Sequence, residues 1–191
     1  MPPKIKVTKD QIIKCACELV RENGDSAINA RIIAARLGCS TQPVFSNFSS
    51  MDELRSSVVG EAERLYNEYI ENALSSDIFP KYKSAGMGYI EFARKERELF
   101  KLLFMRDRKN EVIPKTTEEL ESMAALVKAN TSLSLDDARL FHIEMWVFVH
   151  GIASMIATRY LELDSDTVSN MLTDIYCGLT ERFKEKKNGS N

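Results

Sequence analysis

Apolar side chains recur every three or four residues along most of the chain, and no stretch alternates apolar and polar residues for long. The first segment shows the pattern, since Ile12, Ala16, Leu19 and Val20 fall on one face of a helix. Glycine and proline, which interrupt helices, number only 8 and 5 among 191 residues. The sequence therefore predicts an all-α fold of about nine helices.

Charge is unevenly distributed along the chain. Residues 1–48 contain seven Lys or Arg and four Asp or Glu, a balance of +3, and the remainder contains 19 and 24, a balance of −5. Together these balances give the net charge of −2. A mildly basic N-terminal part on an acidic body is typical of a protein that contacts DNA at one end.

Capping signals mark the first and fourth helices. Thr8-Lys9-Asp10-Gln11 is a capping-box pattern, and the helix that it opens is predicted to end at Asn23-Gly24. Ser50-Met51-Asp52-Glu53 is a second capping box, from which a long helix is predicted to run to about Leu74.

Two short helices are predicted between them. Asn29 is expected to cap a helix over residues 30–37, Gly38 to permit a tight turn, and Ser40 to cap a third helix over residues 41–47. Two short helices joined by such a turn form a helix-turn-helix, whose second helix lies in the major groove of DNA. Its predicted outward residues are Thr41, Gln42, Ser46 and Asn47, of which Gln can pair with adenine through two hydrogen bonds.

The segment 8–54 resembles the DNA-binding domain of TetR-family repressors. The resemblance is carried by Ile33-Ala34-Ala35-Arg36-Leu37-Gly38-Cys39-Ser40, Val44-Phe45-Ser46-Asn47-Phe48 and Asp52-Glu53-Leu54. It implies a three-helix DNA-binding domain over residues 1–50 and a helical ligand-binding and dimerisation domain over residues 51–191. It implies DNA contacts from Thr8, Lys9, Arg31, Ser40, Thr41, Gln42, Phe45, Ser46 and Asn47.

Three positions depart from the family pattern. Phe45 stands where a tyrosine is usual, Met51 where a lysine is frequent, and Asn47 where an aromatic residue or histidine is frequent. Phe45 has no hydroxyl and Met51 no charge with which to hold a phosphate. We therefore expect an operator contact that is weaker or more discriminating, with a flatter salt dependence.

The C-terminal part resembles one type of TetR ligand-binding domain. The matching residues are Phe92-Ala93-Arg94, Glu98-Leu99-Phe100-Lys101-Leu102-Leu103-Phe104, and Trp146 followed by His150-Gly151. Apolar, aromatic and Met side chains suit an apolar or amphipathic effector, although core packing explains the same residues. The candidate ligand-binding residues are Phe92, Phe100, Phe104, Met123, Phe141, Met145 and Phe148.

The helix predicted over residues 135–163 is apolar on two faces, so its own subunit can cover one face and a partner the other. The resemblance implies that this helix and the last one, predicted from residue 164 or 165 to 187, pack against their symmetry mates. The candidate dimer contacts are Leu140, Ile143, Val147, Gly151, Ser154, Leu172, Ile175 and Leu179.

Other classes of protein find little support in the sequence. No nucleophile with a base, carboxylate pair or cofactor motif is present, so we predict no enzyme, no catalytic residue and no cofactor. His142 and His150 are eight residues apart, which excludes a two-histidine metal site on one helical turn, and no metal is expected.

The expected partners are double-stranded operator DNA, a small-molecule effector and a second copy of the chain. No apolar run approaches the about 20 residues of a membrane span, and no signal peptide is evident, so a cytoplasmic protein without membrane contact is expected. A helical protein-interaction adaptor, or a regulator without an effector, remains the alternative.

Overall fold

The computed structural model describes residues 7–107 and 118–189, and this part of the chain contains helices and no strand. The predicted all-α fold is confirmed, with nine α-helices among the described residues. They are α1 (Lys9–Asn23), α2 (Ala30–Arg36), α3 (Gln42–Asn47), α4 (Met51–Ser75), α5 (Lys81–Lys95), α6 (Arg97–Phe104), α7 (Glu118–Thr131), α8 (Leu135–Ala157) and α9 (Ser165–Gly189). A single 3₁₀ turn, Asp25–Ala27, follows α1.

The helix predicted over residues 135–163 ends earlier, at Ala157. The helix begins at Leu135, as predicted. Ser134 caps it, because the Ser134 hydroxyl accepts a hydrogen bond from the Asp137 N–H at 3.1 Å. At the other end Thr158 donates its hydroxyl to the Ser154 carbonyl at 2.8 Å, and Arg159 adopts a left-handed φ of 58°. The left-handed residue turns the chain away from the helix axis.

The described chain forms two compact units. The first unit contains the described residues up to Glu68 together with Lys95–Arg106, and the second contains Tyr69–Arg94 together with the described residues from Asp107 onwards. The first unit is therefore larger than the predicted DNA-binding domain of residues 1–50, since it also includes the start of α4 and all of α6. The division of function at residue 50 remains a prediction.

The first unit is built around α1, which contacts α2, α3 and α6. Fully buried aliphatic side chains from four helices fill its core, among them Ile12, Ile33, Val44 and Leu99. At the end of α1, Arg21 forms a two-pronged ion pair with Glu96, with N–O distances of 2.7 and 3.2 Å. This pair and the apolar core fasten α6 to α1 within the unit.

The second unit has a core where α7, α8 and α9 meet. Its buried members are Ala124, Val127, Leu133, Ala138, Phe141, Met145 and Phe183. Tyr82 of α5 and Tyr176 of α9 pack their rings against Phe141, with centroids 6.4 and 5.2 Å apart. α8 therefore buries the face that carries Phe141 and Met145 inside its own unit.

In the described part of the chain, α8 is the one helix that is long and apolar enough, by length and composition alone, to cross a membrane. Charged residues, among them Arg139 and Glu144, interrupt its apolar residues, so the helix meets this criterion without an uninterrupted apolar run of about 20 residues. In the fold, 39% of its most apolar window is buried, and because a core helix of a globular protein meets the same criterion, one such helix is weak evidence for a membrane span. Two charged residues within it, Arg139 and Glu144, pair with Glu121 of α7 and Arg182 of α9.

Gly88 allows a close approach between α5 and the end of α4. A Cβ atom at this position would lie 2.8 Å from the Ala73 Cβ and 3.1 Å from the Tyr69 carbonyl oxygen. We expect Gly88→Ala to lower the free energy of unfolding by about 1–3 kcal/mol, because the two helices must move apart. Chemical denaturation followed by circular dichroism measures the change.

Gly60→Ala is the matched control, since Gly60 also lies inside a helix but has open space around its Cβ position. This substitution is expected to raise stability by about 0.5–1 kcal/mol through helix propensity alone. Equal effects of the two substitutions would contradict the close approach at Gly88.

Candidate nucleic-acid interface and the apolar face of α8

The turn between α2 and α3 is fixed by local signals. Asn29 caps α2 by accepting a hydrogen bond from the Arg31 N–H at 2.9 Å. After α2, Gly38 adopts a φ of 65°, a left-handed conformation that a residue with a Cβ rarely adopts. Val44 and Phe48 are buried, so they fasten α3 to the first unit.

α3 begins one residue later than predicted. Ser40 does not cap it; Thr41 occupies the N-cap position with helical dihedral angles and without a side-chain hydrogen bond to the helix. Pro43 lies in the first turn, where its missing N–H removes no helical hydrogen bond. Ser40 is left exposed, and Thr41 is half-buried.

Gln42, Phe45 and Ser46 form the outward face of α3, opposite the buried Val44. The Phe45 ring is 57% exposed. Ser46 donates its hydroxyl hydrogen to the Gln42 carbonyl at 2.5 Å.

Asn47 differs from the prediction of an outward side chain. It is half-buried, and its amide donates to the Pro43 carbonyl at 2.8 Å and to the Val7 carbonyl at 3.4 Å. The side chain therefore closes α3 and holds the chain before α1 instead of facing out.

Thr8 and Lys9 lie at the start of α1, where both have partners within the unit. Thr8 completes the predicted capping box, with the Gln11 N–H bonded to its hydroxyl at 3.2 Å and its own N–H bonded to the Gln11 side chain at 2.9 Å. Lys9 forms an ion pair with Glu53 at 2.9 Å and lies over the Phe48 ring at 4.8 Å from the centroid.

Glu53 connects the start of α4 to the start of α1, a role that the sequence did not predict. Half of the predicted capping box is present, since the Glu53 N–H donates to the Ser50 hydroxyl at 3.1 Å. The Glu53 carboxylate accepts hydrogen bonds from the Ser49 N–H and hydroxyl, both at 2.8 Å, and not from the Ser50 N–H as the box requires. The Ser49 N–H, then Lys9 and the Ser49 hydroxyl, lower the pKa of the Glu53 carboxyl to about 2. The start of α4 is thereby tied to the start of α1.

Arg31 at the start of α2 is exposed. Within the described residues it makes no ion pair, whereas Arg36 of the same helix pairs with Glu22. An exposed guanidinium without an internal partner is available to a phosphate.

The predicted ligand-binding residues are divided between the two units. Phe100 and Phe104 belong to the first, where Phe104 packs edge-on against Tyr66. Phe92 belongs to the second and packs edge-on against Tyr69. Phe92, Phe100, Phe141 and Met145 are buried, and Phe104, Met123 and Phe148 are half-buried. The four buried side chains have the environment of core residues, and contact of any of the seven with an effector remains a prediction.

Three of the predicted dimer contacts are exposed on one face of α8. They are Leu140, Ile143 and Val147, with exposed fractions of 42%, 44% and 59%. Gly151 and Ser154, one and two turns further along, are half-buried, and nothing lies within 4 Å of the Cβ position of Gly151.

The residues assigned to the interface from α9 are placed differently. Leu172 is 3% exposed, and its side chain lies 3.3 Å from the Cβ position of Gly86 on α5, so it is a core residue that a partner cannot reach. Ile175 and Leu179 are half-buried and pack against the core around Phe141. The helical spacing of the apolar residues along α9 does not show which of them face the core and which face solvent.

Two tyrosine–histidine pairs join α5 to α8. The Tyr82 hydroxyl lies 3.0 Å from His142 Nδ1, and the Tyr89 hydroxyl lies 2.9 Å from His150 Nδ1. Burial lowers the pKa of both imidazoles, which favours their neutral forms. His150 thus makes a structural hydrogen bond between two helices. The described residues contain no cluster of three metal-ligating side chains.

Trp146 lies beside this pair on α8. Its ring stacks on His150 with centroids 5.3 Å apart and is 46% exposed. The sequence singled out Trp146 and His150-Gly151 for a family resemblance, but their stacking depends on the helical geometry. Trp146 extends the exposed apolar face of α8 beyond the predicted contacts.

Comparisons with known proteins agree with this architecture. Residues 83–175 match a family model described as the tetracyclin repressor-like C-terminal domain. No curated protein gives a significant match to the sequence. The finer resemblance carried by Trp146 and His150-Gly151 remains a prediction.

Solved structures show the same fold over most of the chain. A TetR-like transcriptional regulator from Rhodococcus sp. RHA1 is 18% identical with a TM-score of 0.69, covering 92% of this chain and 96% of its own. A TetR-family member from Streptomyces coelicolor A3 is 19% identical with a TM-score of 0.61, covering 87% and 96%. The multidrug binding protein EbrR, complexed with imidazole, is 19% identical with a TM-score of 0.59, covering 87% and 93%. The chain therefore has the fold of TetR-like transcriptional regulators.

Proposed function

We propose that the chain is a cytoplasmic TetR-family repressor that binds a pseudo-palindromic operator as a homodimer and is released by a small apolar or amphipathic effector. The observation that carries the proposal is the presentation of α3. Its inner residues, Val44 and Phe48, are buried, while Gln42 and Phe45 face outward, on a fold shared with TetR-like regulators. An outward polar helix after a tight turn is the geometry with which a helix-turn-helix enters the major groove.

The charges around α3 support contact with DNA. Arg31 is exposed and makes no ion pair within the described residues, and Ser40 adds an exposed hydroxyl group. Phosphate oxygens accept hydrogen bonds from both kinds of group, which position a protein on the duplex without reading its sequence. Lys9 can contribute only by sharing its ammonium group with Glu53.

The apolar face of α8 supports the dimer. Leu140, Ile143, Trp146 and Val147 are each more than 40% exposed on adjacent turns of one helix. Side chains of this size on one continuous strip are unfavourable in water and mark a surface that a partner covers. A second copy related by a two-fold axis would bring the same strip against itself and place two α3 helices on successive turns of DNA.

α4 supports a coupling between effector and operator. It is one continuous helix whose residues up to Glu68 belong to the first unit and whose residues from Tyr69 to Ser75 belong to the second. An effector bound in the second unit would act through this helix on the separation of the two recognition helices. It would shift the equilibrium only as far as it prefers the form that does not bind DNA.

The class of effector is inferred from the apolar body. All seven candidate contacts are Phe or Met side chains, and such walls accept varied apolar ligands. One structure with this fold is described as that of a multidrug binding protein.

Operator binding is tested by fluorescence anisotropy on DNA from the protein's own upstream region, with selection from random DNA if that region is not bound. We expect sequence-selective binding, and we expect Gln42→Ala to weaken it by about tenfold or more, because one good base contact contributes about 1–3 kcal/mol of discrimination. Asn67→Ala, at an exposed position of α4, is the control and is expected to leave affinity unchanged.

Two salt concentrations separate the phosphate contacts from the base contacts, since the phosphate contacts weaken steeply with salt. Equal affinity for operator and scrambled DNA at both concentrations would refute the proposal. Self-association without selective DNA binding would instead favour a helical adaptor, for which the apolar face of α8 would be the docking surface.

A further inference from the structure

We propose that α3 reads A·T base pairs, with the Phe45 ring packed against a thymine methyl group and the Gln42 amide bonded to a nearby adenine. This inference rests on the proposed operator binding. It specifies the chemistry of the base pairs that the recognition helix selects.

Of the three polar side chains of α3 (Gln42, Ser46 and Asn47), Gln42 is the one that is free to bond to a base. Ser46 has its hydroxyl hydrogen on the Gln42 carbonyl, and Asn47 has its amide on the Pro43 and Val7 carbonyls. Pairing with adenine through two hydrogen bonds requires an amide whose N–H and carbonyl are both available. Within the described residues the Gln42 side chain is exposed and makes no hydrogen bond, so it meets this requirement and Asn47 does not.

The charge of α3 disfavours guanine. The most frequent guanine contact is an Arg or Lys that reaches the O6 and N7 atoms together. The residues of α3 are Gln-Pro-Val-Phe-Ser-Asn and include no cation. The helix therefore lacks the side chain that would select G·C pairs by this contact.

Phe45 supplies the apolar half of the readout. Its ring is 57% exposed, although its neighbour Val44 and the nearby Phe48 are buried. Removing an exposed ring from water is favourable when it meets an apolar partner, and the C5-methyl of thymine is the apolar group that a base presents in the major groove. Because Phe45 has no hydroxyl, it cannot hold a phosphate instead.

The spacing of the two side chains suits neighbouring base pairs. Residues 42 and 45 are three apart on a helix, so their Cβ atoms lie about 5–6 Å from each other. Stacked base pairs are separated by about 3.4 Å. Gln42 and Phe45 can therefore meet base pairs that are one or two steps apart in the same half-site.

The test uses an operator obtained by selection from random DNA, in which thymines are replaced one at a time by deoxyuridine, which lacks only the methyl group. We expect one position per half-site at which this replacement weakens binding about fourfold, and about fifteenfold when both half-sites are changed, as for burial of one carbon group each. The Phe45→Ala protein is expected to bind thymine and uracil operators equally. Replacing the paired adenine with 7-deazaadenine is expected to weaken the wild type but not Gln42→Ala.

Ile32→Ala is the matched control, because Ile32 is an apolar residue of α2 that is 44% exposed in the same unit. This variant is expected to keep the full sensitivity to deoxyuridine. A selective operator that tolerates deoxyuridine at every position, or that responds to 7-deazaguanine instead, would overturn this inference and leave the repressor function standing. Selection that yields no preferred sequence would overturn both.

Discussion

Val147→Glu is expected to convert the proposed dimer into a monomer and to abolish tight operator binding. Val147 is the most exposed of the apolar residues on its face of α8, at 59%, and its neighbours Ile143 and Leu140 are also apolar. In a two-fold symmetric interface the substitution places two carboxylates in the same apolar strip. Removing them from water and bringing like charges together costs several kcal/mol per dimer.

A cost of about 4 kcal/mol weakens the dimer about a thousandfold. Analytical ultracentrifugation across a range of concentrations measures this shift, and anisotropy on the operator measures the loss of DNA binding. Because Val147 points into solvent in the single chain, the fold of the monomer is expected to survive, with an unchanged helical circular dichroism spectrum.

Ile78→Glu provides the control. Ile78 is an apolar residue that is 78% exposed, but it lies between α4 and α5, outside the apolar face of α8. The same change of side chain there is expected to leave association and DNA binding as they are. A Val147→Glu protein that remains dimeric would show that another surface forms the interface.

Local signals explain why most helix starts could be predicted from the sequence. The Thr8 capping box, the Asn29 cap and the Ser134 cap each depend on atoms within three residues of one another, and all three are present. Gly38 is equally local, because its left-handed φ is a property of one residue. The order and type of the helices follow from such signals and from the apolar period.

The errors concern partners that are distant in the sequence. Asn47 turns inward, where its amide donates to the Pro43 carbonyl, four residues earlier, at 2.8 Å and to the Val7 carbonyl, 40 residues away, at 3.4 Å. Lys9 is paired because Glu53, 44 residues away, lies at the start of α4. The pattern of residues within one helix does not reveal the distant partners Val7 and Glu53. For this reason the sequence predicts that Asn47 faces outward.

The two faces of α9 show the same difficulty for apolar residues. Leu172 and Ile175 recur at helical spacing, but only the packing of Leu172 against α5 and its burial show that it is a core residue. The Tyr82–His142 and Tyr89–His150 bonds join residues 60 and 61 positions apart. The two tyrosines are seven residues apart and the two histidines eight, so both pairs can form when α5 and α8 run in the same direction. This agreement of spacing can be recognised only when it is known that α5 packs beside α8.

Phe141→Ala distinguishes a core residue from one that lines a cavity, the alternative that the sequence leaves open. Phe141 is 0% exposed and packs against Tyr82, Tyr176 and Phe183 from two other helices. If it is core, removing the ring is expected to lower the free energy of unfolding by about 3–5 kcal/mol. The melting temperature Tm would then fall by about 10 °C or more for a chain of this size.

Phe45→Ala removes the same ring at an exposed position of α3 and is expected to change stability by no more than about 0.5 kcal/mol. An unchanged free energy of unfolding for Phe45→Ala would also show that any effect of this substitution on DNA binding does not come from unfolding. A loss of less than about 1 kcal/mol in Phe141→Ala would mean that the ring borders open space. The site of Phe141 would then be the first place to search for the effector, because a ring whose removal costs so little has little packing around it to lose.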